Sequence, residues 1–216
     1  MADTQRFRVL PASASVDEPR TAGDGTEAAG GGYRLLDRET FEPVALAAEG
    51  HDAPVTDLRA GYLVDAELDW TTSDPTVASV EVVRPTLYAF ADEVDPMFEA
   101  ARETWERAQA AGDPMNTQVL RNTDSEVTGA LYVFAESGDR GRFEEFFDGS
   151  RPLEPLVDRV NDEREPAPRE VFVLRALPAA FTAVAVTLRK GGQLAETMRD
   201  TYDCPRPDEP LVPDES

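Results

Sequence analysis

The chain has 216 residues, and its 43 Asp and Glu residues against 21 Lys and Arg give a formal net charge of -22. It contains one histidine, His51, and one cysteine, Cys204, which excludes an internal disulfide and a zinc site built from Cys and His ligands. Repulsion among so many like charges fades when salt shortens the Debye length to about 3 Å near 1 M. We therefore expect a halophilic protein from a saline cytosol.

The first half of the chain, residues 1–85, reads as a β-rich unit. Apolar runs bounded by turn residues predict strands at 6–10, 33–46, 58–70 and 76–92, with a break at Pro85. Short strands in this order favour a small β-barrel or a curled antiparallel sheet. Segment 11–32 is rich in Gly, Ala, Ser and Pro, and it has too few large apolar residues to offset its ordering entropy. We expect a mobile loop there.

The second half, residues 86–204, reads as helices packed on strands. After Asp95 and Pro96 the apolar residues recur at helical spacing, and Gly112 ends that helix. Later strands are predicted at 117–123, 127–136, 169–177 and 181–190, and later helices at 141–149, 151–160 and 191–202. Counting 86–92 as the opening strand gives a ferredoxin-like order, an antiparallel sheet with helices on one face. If that strand belongs to the first unit, the remaining order is helix, two strands, helix, two strands, helix. The fold class is α+β, and residues 205–216 are predicted to be a disordered acidic tail.

Four aromatic residues form the first candidate site. Ferredoxin-like RNA readers stack bases on aromatic side chains of central strands, and the matching positions here are Tyr88, Phe90, Tyr132 and Phe134. The RNA-recognition pattern has a basic residue before its glycine and an aromatic after it, whereas Gly129 is flanked by threonine and alanine. The alternative is that another layer covers this face and the four rings belong to a core.

The second candidate site is a basic and glycine-rich turn before the last helix. Arg189, Lys190, Gly191 and Gly192 could hold an anion on free backbone N–H groups at a helix start. An ordinary glycine turn between a strand and a helix is the alternative. No spacing of carboxylates predicts a metal site, so we assign no catalytic residue, metal ligand or cofactor. Cys204 lies in the proline-rich tail and is expected to be a surface thiol.

Several motifs together resemble a known family. They are "LRAGYLVDAELDW", "DPMFEAARETWERAQAAGDPMNTQV", "TGALYVFAE", "PLEPLVDRV", "REVFVLR" and "GGQLAETMRDTY". The chain resembles an uncharacterised family of haloarchaeal proteins of unknown function, over most of its length apart from 11–32 and the tail. The resemblance implies a halophilic source, and it implies no activity, cofactor or catalytic residue.

The functional expectations follow from these patterns. The longest weakly polar stretch, 176–188, is shorter than the roughly 20 residues that span a bilayer, and the N-terminus lacks an apolar signal core. We expect a soluble cytoplasmic protein with no membrane contact. We expect a non-enzymatic binding or interaction module, with an unidentified protein partner. The alternatives are a single-stranded nucleic-acid or nucleotide binder that uses the four aromatic rings, and an enzyme that depends on carboxylates or a divalent metal.

Overall fold

The computed structural model describes residues 4–12, 32–47, 49–136, 141–162, 164–177 and 179–212. In this part of the chain the fold is mixed α+β, with two five-stranded sheets and four α-helices. The loop predicted at 11–32 falls almost wholly outside the described residues.

The first sheet is open and antiparallel, with the strand order β3-β2-β1-β4-β5. Its strands are β1 (Gln5–Val9), β2 (Arg34–Asp37), β3 (Pro43–Ala45), β4 (Leu63–Asp69) and β5 (Thr76–Arg84). The edge strands β3 and β5 do not pair, so the described residues form no closed barrel. The Ala47 N–H donates to the Pro75 carbonyl oxygen over 2.9 Å, and this hydrogen bond joins the chain beside these two edges.

Alternation of side chains gives the first sheet one apolar face. Phe7 and Val9 of β1 are buried with Tyr62 and Val64 in one hydrophobic cluster. Trp70, the next residue after β4, is 58% exposed because β4 ends at Asp69 and the chain turns there.

The second sheet has the strand order β6-β9-β10-β8-β7. Its strands are β6 (Leu87–Val94), β7 (Met115–Arg121), β8 (Val127–Ala135), β9 (Glu170–Ala176) and β10 (Phe181–Thr187). All neighbours are antiparallel except β6 and β9, so the sheet is mixed. A ferredoxin-like sheet would place β6 at the centre beside β8. Here β10 occupies that position and β6 lies at an edge, because the hairpins β7-β8 and β9-β10 pair with each other through β8 and β10.

Helices cover both faces of the second sheet, in contrast to the prediction of one face. They are α1 (Glu99–Ala111), α2 (Arg142–Asp148), α3 (Glu154–Asp162) and α4 (Gln193–Thr201). Helices α1 and α4 pack on one face, and α2 and α3 pack on the other. The physical reason lies in β9 and β10, which are apolar at successive positions and buried on both sides. Helix α1 begins at Glu99 rather than Asp95, since Phe98 is extended, and it ends at the left-handed Gly112 as predicted.

Helices α2 and α3 also contact the first sheet, so the two sheets share one helical layer. The Arg8 Nε donates to Glu154 Oε1 over 2.5 Å, and Arg38 Nη2 donates to Asp158 Oδ2 over 2.7 Å. Arg34 Nη2 donates to the Phe147 carbonyl oxygen over 3.3 Å. The division predicted after residue 85 falls between β5 and β6, and α3 connects the two sides.

Residues 205–212, expected to be disordered, are held against the body of the protein. Arg206 pairs with Glu170 at 2.9 Å, and Glu209 pairs with Lys190. Leu211 and Val212 pack on the hydrophobic cluster of the first sheet. Cys204, expected at the surface, is 4% exposed, and burial raises the pKa of its thiol to about 11. The tail is ordered here because it offers apolar side chains and charged partners together.

Candidate anion-binding site

The four predicted aromatic rings come together on one face of the second sheet, beneath helices α2 and α3. Tyr88 and Tyr132 are buried, and Phe90 and Phe134 are half-buried. Phe90 makes edge contacts with Phe143 and Phe147, at ring-centroid distances of 5.8 and 5.2 Å. Base stacking on these rings therefore requires both helices to leave the sheet.

The basic and glycine-rich turn is divided between two environments. The Gly191 N–H donates to Glu170 Oε1 over 2.7 Å, so a carboxylate of the protein itself occupies that donor. Lys190 Nζ donates to the Pro85 carbonyl oxygen over 2.8 Å and also pairs with Glu209. Arg189 and Gly192 instead line a pocket on the other side of the turn.

This pocket has a volume of about 600 Å³ and lies at one end of the second sheet. Its lining comes from three segments, within residues 122–128, 164–169 and 187–194. They are the start of β8, the chain before β9, and the end of β10 with the start of α4. Arg164, Arg169 and Arg189 all line it, and we call it the arginine pocket.

Arg169 is the buried member of the three, with 3% of its surface exposed. Its Nε donates to Asn161 Oδ1 and its Nη2 to the Glu165 carbonyl oxygen, each over 3.1 Å, and its Nη1 donates to the Leu188 carbonyl oxygen. All three acceptors are neutral. A guanidinium has five N–H donors, so further donors are left after these contacts. Burial lowers the pKa of Arg169, and the nearby cations Arg164 and Arg84 lower it further.

Arg164 and Arg189 are exposed at the same pocket. Within the described residues neither guanidinium forms an ion pair, although the chain has about two acids for each base. Two carboxylates, Glu126 and Glu165, also line the pocket. Three cations against two anions give the lining a positive balance in a strongly negative protein.

Helix α4 points its first turn at the pocket. The helix begins at Gln193, and the extended Gly192 before it makes no side-chain cap. The first N–H groups of a helix have no partner within the helix and carry a partial positive charge. Gln193 and Leu194 line the pocket, so the helix start adds to the field of the three arginines.

The described residues contain no group of three or more His, Cys, Asp or Glu side chains that could hold a metal ion. His51, the one imidazole, has its Nε2 within 3.0 Å of the Ala47 carbonyl oxygen. A metal-dependent enzyme stays a prediction that no cluster in this part of the chain supports. No helix among the same residues combines the length and apolar character that crossing a bilayer needs.

Sequence reasoning found one of the three arginines that line the arginine pocket. It identified Arg189 and Gly192 through the glycine turn, and it missed Arg164 and Arg169. These two flank "EPAP", a short segment that carries no helical or strand periodicity. The available signal was that an arginine directly precedes β9, a strand that is buried at all but one position, where a charge is costly unless it has a partner.

Residues 1–207 match the model of a family of unknown function, DUF6663. The chain belongs to the DUF6663 family. The match includes every residue that lines the arginine pocket. No curated protein and no solved structure matches the chain.

Proposed function

We propose that this DUF6663 protein is a non-enzymatic module that binds a phosphate-bearing ligand in the arginine pocket. Arg169 is the observation that carries the proposal, because it is 3% exposed and its three acceptors are neutral. An unpaired buried charge costs several kcal/mol (on the order of the desolvation penalty of one ion). A chain with 43 carboxylates could have supplied a partner for the Arg169 guanidinium, and an anionic ligand in the pocket compensates the same charge.

Phosphate suits this lining better than a singly charged anion. Arginine presents parallel N–H groups that match the geometry of phosphate oxygens, and the start of a helix is a common place for phosphate to bind. The pocket combines three arginines with the first turn of α4. A phosphate monoester carries a charge of about -1.5 to -2 at neutral pH, which exceeds the lining's excess of one cation, and the partial positive charge at the start of α4 adds to the cationic side.

The proposed setting is a saline cytosol, as the net charge of -22 suggests. High salt screens exposed charges strongly and partly buried charges much less. Binding there depends on a sheltered cation with directed N–H donors, which is the situation of Arg169. The lining offers guanidinium, amide, hydroxyl and carboxylate groups, which suit binding through charge and hydrogen bonds.

The test is calorimetric titration of inorganic phosphate at a fixed ionic strength of about 2 M potassium chloride. Arg164→Ala is expected to weaken binding about tenfold or more, since a hydrogen bond to a charged group contributes about 1.5 to 3 kcal/mol. Arg102→Ala is the matched control. It also removes an exposed arginine that forms no ion pair among the described residues, but from α1, which contributes no residue to the pocket lining. Equal affinities in all three proteins, or no binding, would contradict the proposal.

A further inference from the structure

The arginine pocket has one wall without arginine. Its lining residues from 122–128 are Asn122, Glu126, Val127 and Thr128, while the three arginines come from the other two segments. A ligand that places its phosphate against the arginines therefore presents the rest of the molecule to the oxygen acceptors of Glu126 and Thr128. Those acceptors require a ligand that carries hydrogen-bond donors.

Glu126 is the best-placed acceptor on this wall, because Asn122 holds it. The Asn122 Nδ2 donates to Glu126 Oε2 over 3.0 Å, and Asn122 Oδ1 accepts from the Glu126 N–H over 2.9 Å. Asn122 Oδ1 also accepts from the Asp124 N–H over 3.0 Å, so both lone pairs of the amide oxygen are used within the turn. The Glu126 carboxylate is thereby oriented, and it keeps lone pairs for two further donors. Adjacent hydroxyl groups of one ligand match that geometry.

The apolar part of the pocket lining is aliphatic. None of the described residues that line it is aromatic, and its apolar contribution comes from Val127, Leu188 and Leu194. Proteins that read bases from single strands commonly stack them on aromatic rings. Its volume of about 600 Å³ is in the range of small-molecule sites, which is ample for a phosphorylated pentose or hexose.

We infer that the ligand of this pocket is a sugar phosphate, with its phosphate on the arginines and neighbouring hydroxyls on Glu126. The inference rests on the proposed function, because it requires the pocket to bind phosphate first. It adds a recognition group for the body of the ligand, and it distinguishes a sugar phosphate from a nucleotide and from an amine-bearing phosphate.

The experiment compares four probes by calorimetry under the salt conditions given above. They are inorganic phosphate, ribose 5-phosphate, adenosine monophosphate and phosphoethanolamine. We expect ribose 5-phosphate to bind about tenfold tighter than inorganic phosphate, which corresponds to two added hydrogen bonds of ordinary strength. Adenosine monophosphate should bind no tighter than ribose 5-phosphate, since the base finds no ring.

The variant Glu126→Gln should remove the advantage of ribose 5-phosphate over inorganic phosphate. Glu103→Gln is its control, because it neutralises an exposed carboxylate on α1, away from the pocket. The same ratio of affinities in wild type and Glu126→Gln would overturn the inference.

The outcomes separate the two proposals. Phosphate binding with no gain for ribose 5-phosphate overturns the sugar-phosphate inference and leaves the proposed function standing. Clearly tighter binding of adenosine monophosphate or phosphoethanolamine than of ribose 5-phosphate overturns it in favour of a nucleotide or an amine. Failure of all four probes to bind overturns the proposed function as well.

Discussion

Two arginines of this protein are almost equally buried, and they lie in opposite electrostatic surroundings. Arg8, at 1% exposure, lies between the first sheet and α3. It contacts Glu154 over 2.5 Å and the Gly61 carbonyl oxygen over 2.7 Å, and its guanidinium lies 5.6 Å from the centre of the Tyr88 ring. Arg169, at 3% exposure, has neutral acceptors and two cationic neighbours.

The pKa shifts of the two groups follow these surroundings. Burial disfavours the charge of Arg8, but Tyr88 and Glu154 outweigh it and raise the pKa. Burial lowers the pKa of Arg169, with Arg164 and Arg84 acting in the same direction. The comparison teaches that burial alone does not identify a structural arginine. Arg8 pairs with a carboxylate and joins two parts of the fold. Arg169 has only neutral acceptors among the described residues and lines a pocket, so it can receive an anionic ligand.

The largest expected effect on stability comes from neutralising Glu154, the carboxylate partner of Arg8. Glu154→Gln keeps the shape of the side chain but leaves the buried guanidinium without a counter-charge. Removing one partner of a buried ion pair costs about 3 to 5 kcal/mol, so the free energy of unfolding should fall by that amount. Urea denaturation in high salt measures it.

Asp65→Asn provides the control for that variant. It also breaks an arginine–carboxylate pair, with Arg6, but the side chains of that pair are 50% and 30% exposed. Exposed pairs contribute about 0 to 1 kcal/mol. If Glu154→Gln cost no more than Asp65→Asn, the distinction drawn for Arg8 would fail.

Replacing Arg169 should lower the free energy of unfolding by less. Arg169→Met removes hydrogen bonds to Asn161 and to two carbonyl oxygens, but it also removes a buried charge that forms no ion pair among the described residues. We expect the free energy of unfolding to fall by about 1 to 2 kcal/mol, clearly less than for Glu154→Gln. Phosphate should stabilise the wild-type protein against urea and should leave Arg169→Met unchanged. Equal stabilisation of both proteins by phosphate would contradict the assignment of Arg169 to binding.

The smallest expected effect on stability concerns the exposed ion pair between Arg6 and Asp65, and it depends on pH. The hydrogen bond from Arg6 lowers the pKa of Asp65 below its ordinary value. A lowered carboxyl pKa stabilises the fold at pH values above the unfolded pKa, and this contribution disappears as the pH falls through the folded pKa. The stability difference between wild type and Asp65→Asn should be under about 1 kcal/mol at pH 6 and smaller at pH 3. Urea denaturation at the two pH values measures it, and a gap that widened in acid would show the opposite sign.

Most individual elements of the fold could be predicted from the sequence, because their signals are local. The break at Pro85, the end of α1 at Gly112 and both hairpins of the second sheet lie where periodicity and turn residues placed them. The neighbours of each strand could not be predicted, since pairing depends on contacts between distant segments. Element order thus suggested a central β6, whereas β10 took the central position.

The site was less accessible to sequence reasoning for the same reason. Lys190 and Gly191 belong to the predicted basic turn, but their partners Glu209 and Glu170 come from the tail and from β9. The aromatic pattern did place four rings on one face, yet nothing local showed that α2 and α3 would cover them. That all three acceptors of Arg169 are neutral is visible only once the distances are known.

The contact between Arg8 and Glu154 has a consequence for biosynthesis. The two residues are 146 positions apart, while every strand of the first sheet lies within the first 84 residues. Domains emerge from the ribosome N-terminal part first, so the first sheet can pair its strands long before α3 has been made. Until then Arg8 stays hydrated, and it becomes buried only when the two halves of the chain pack together.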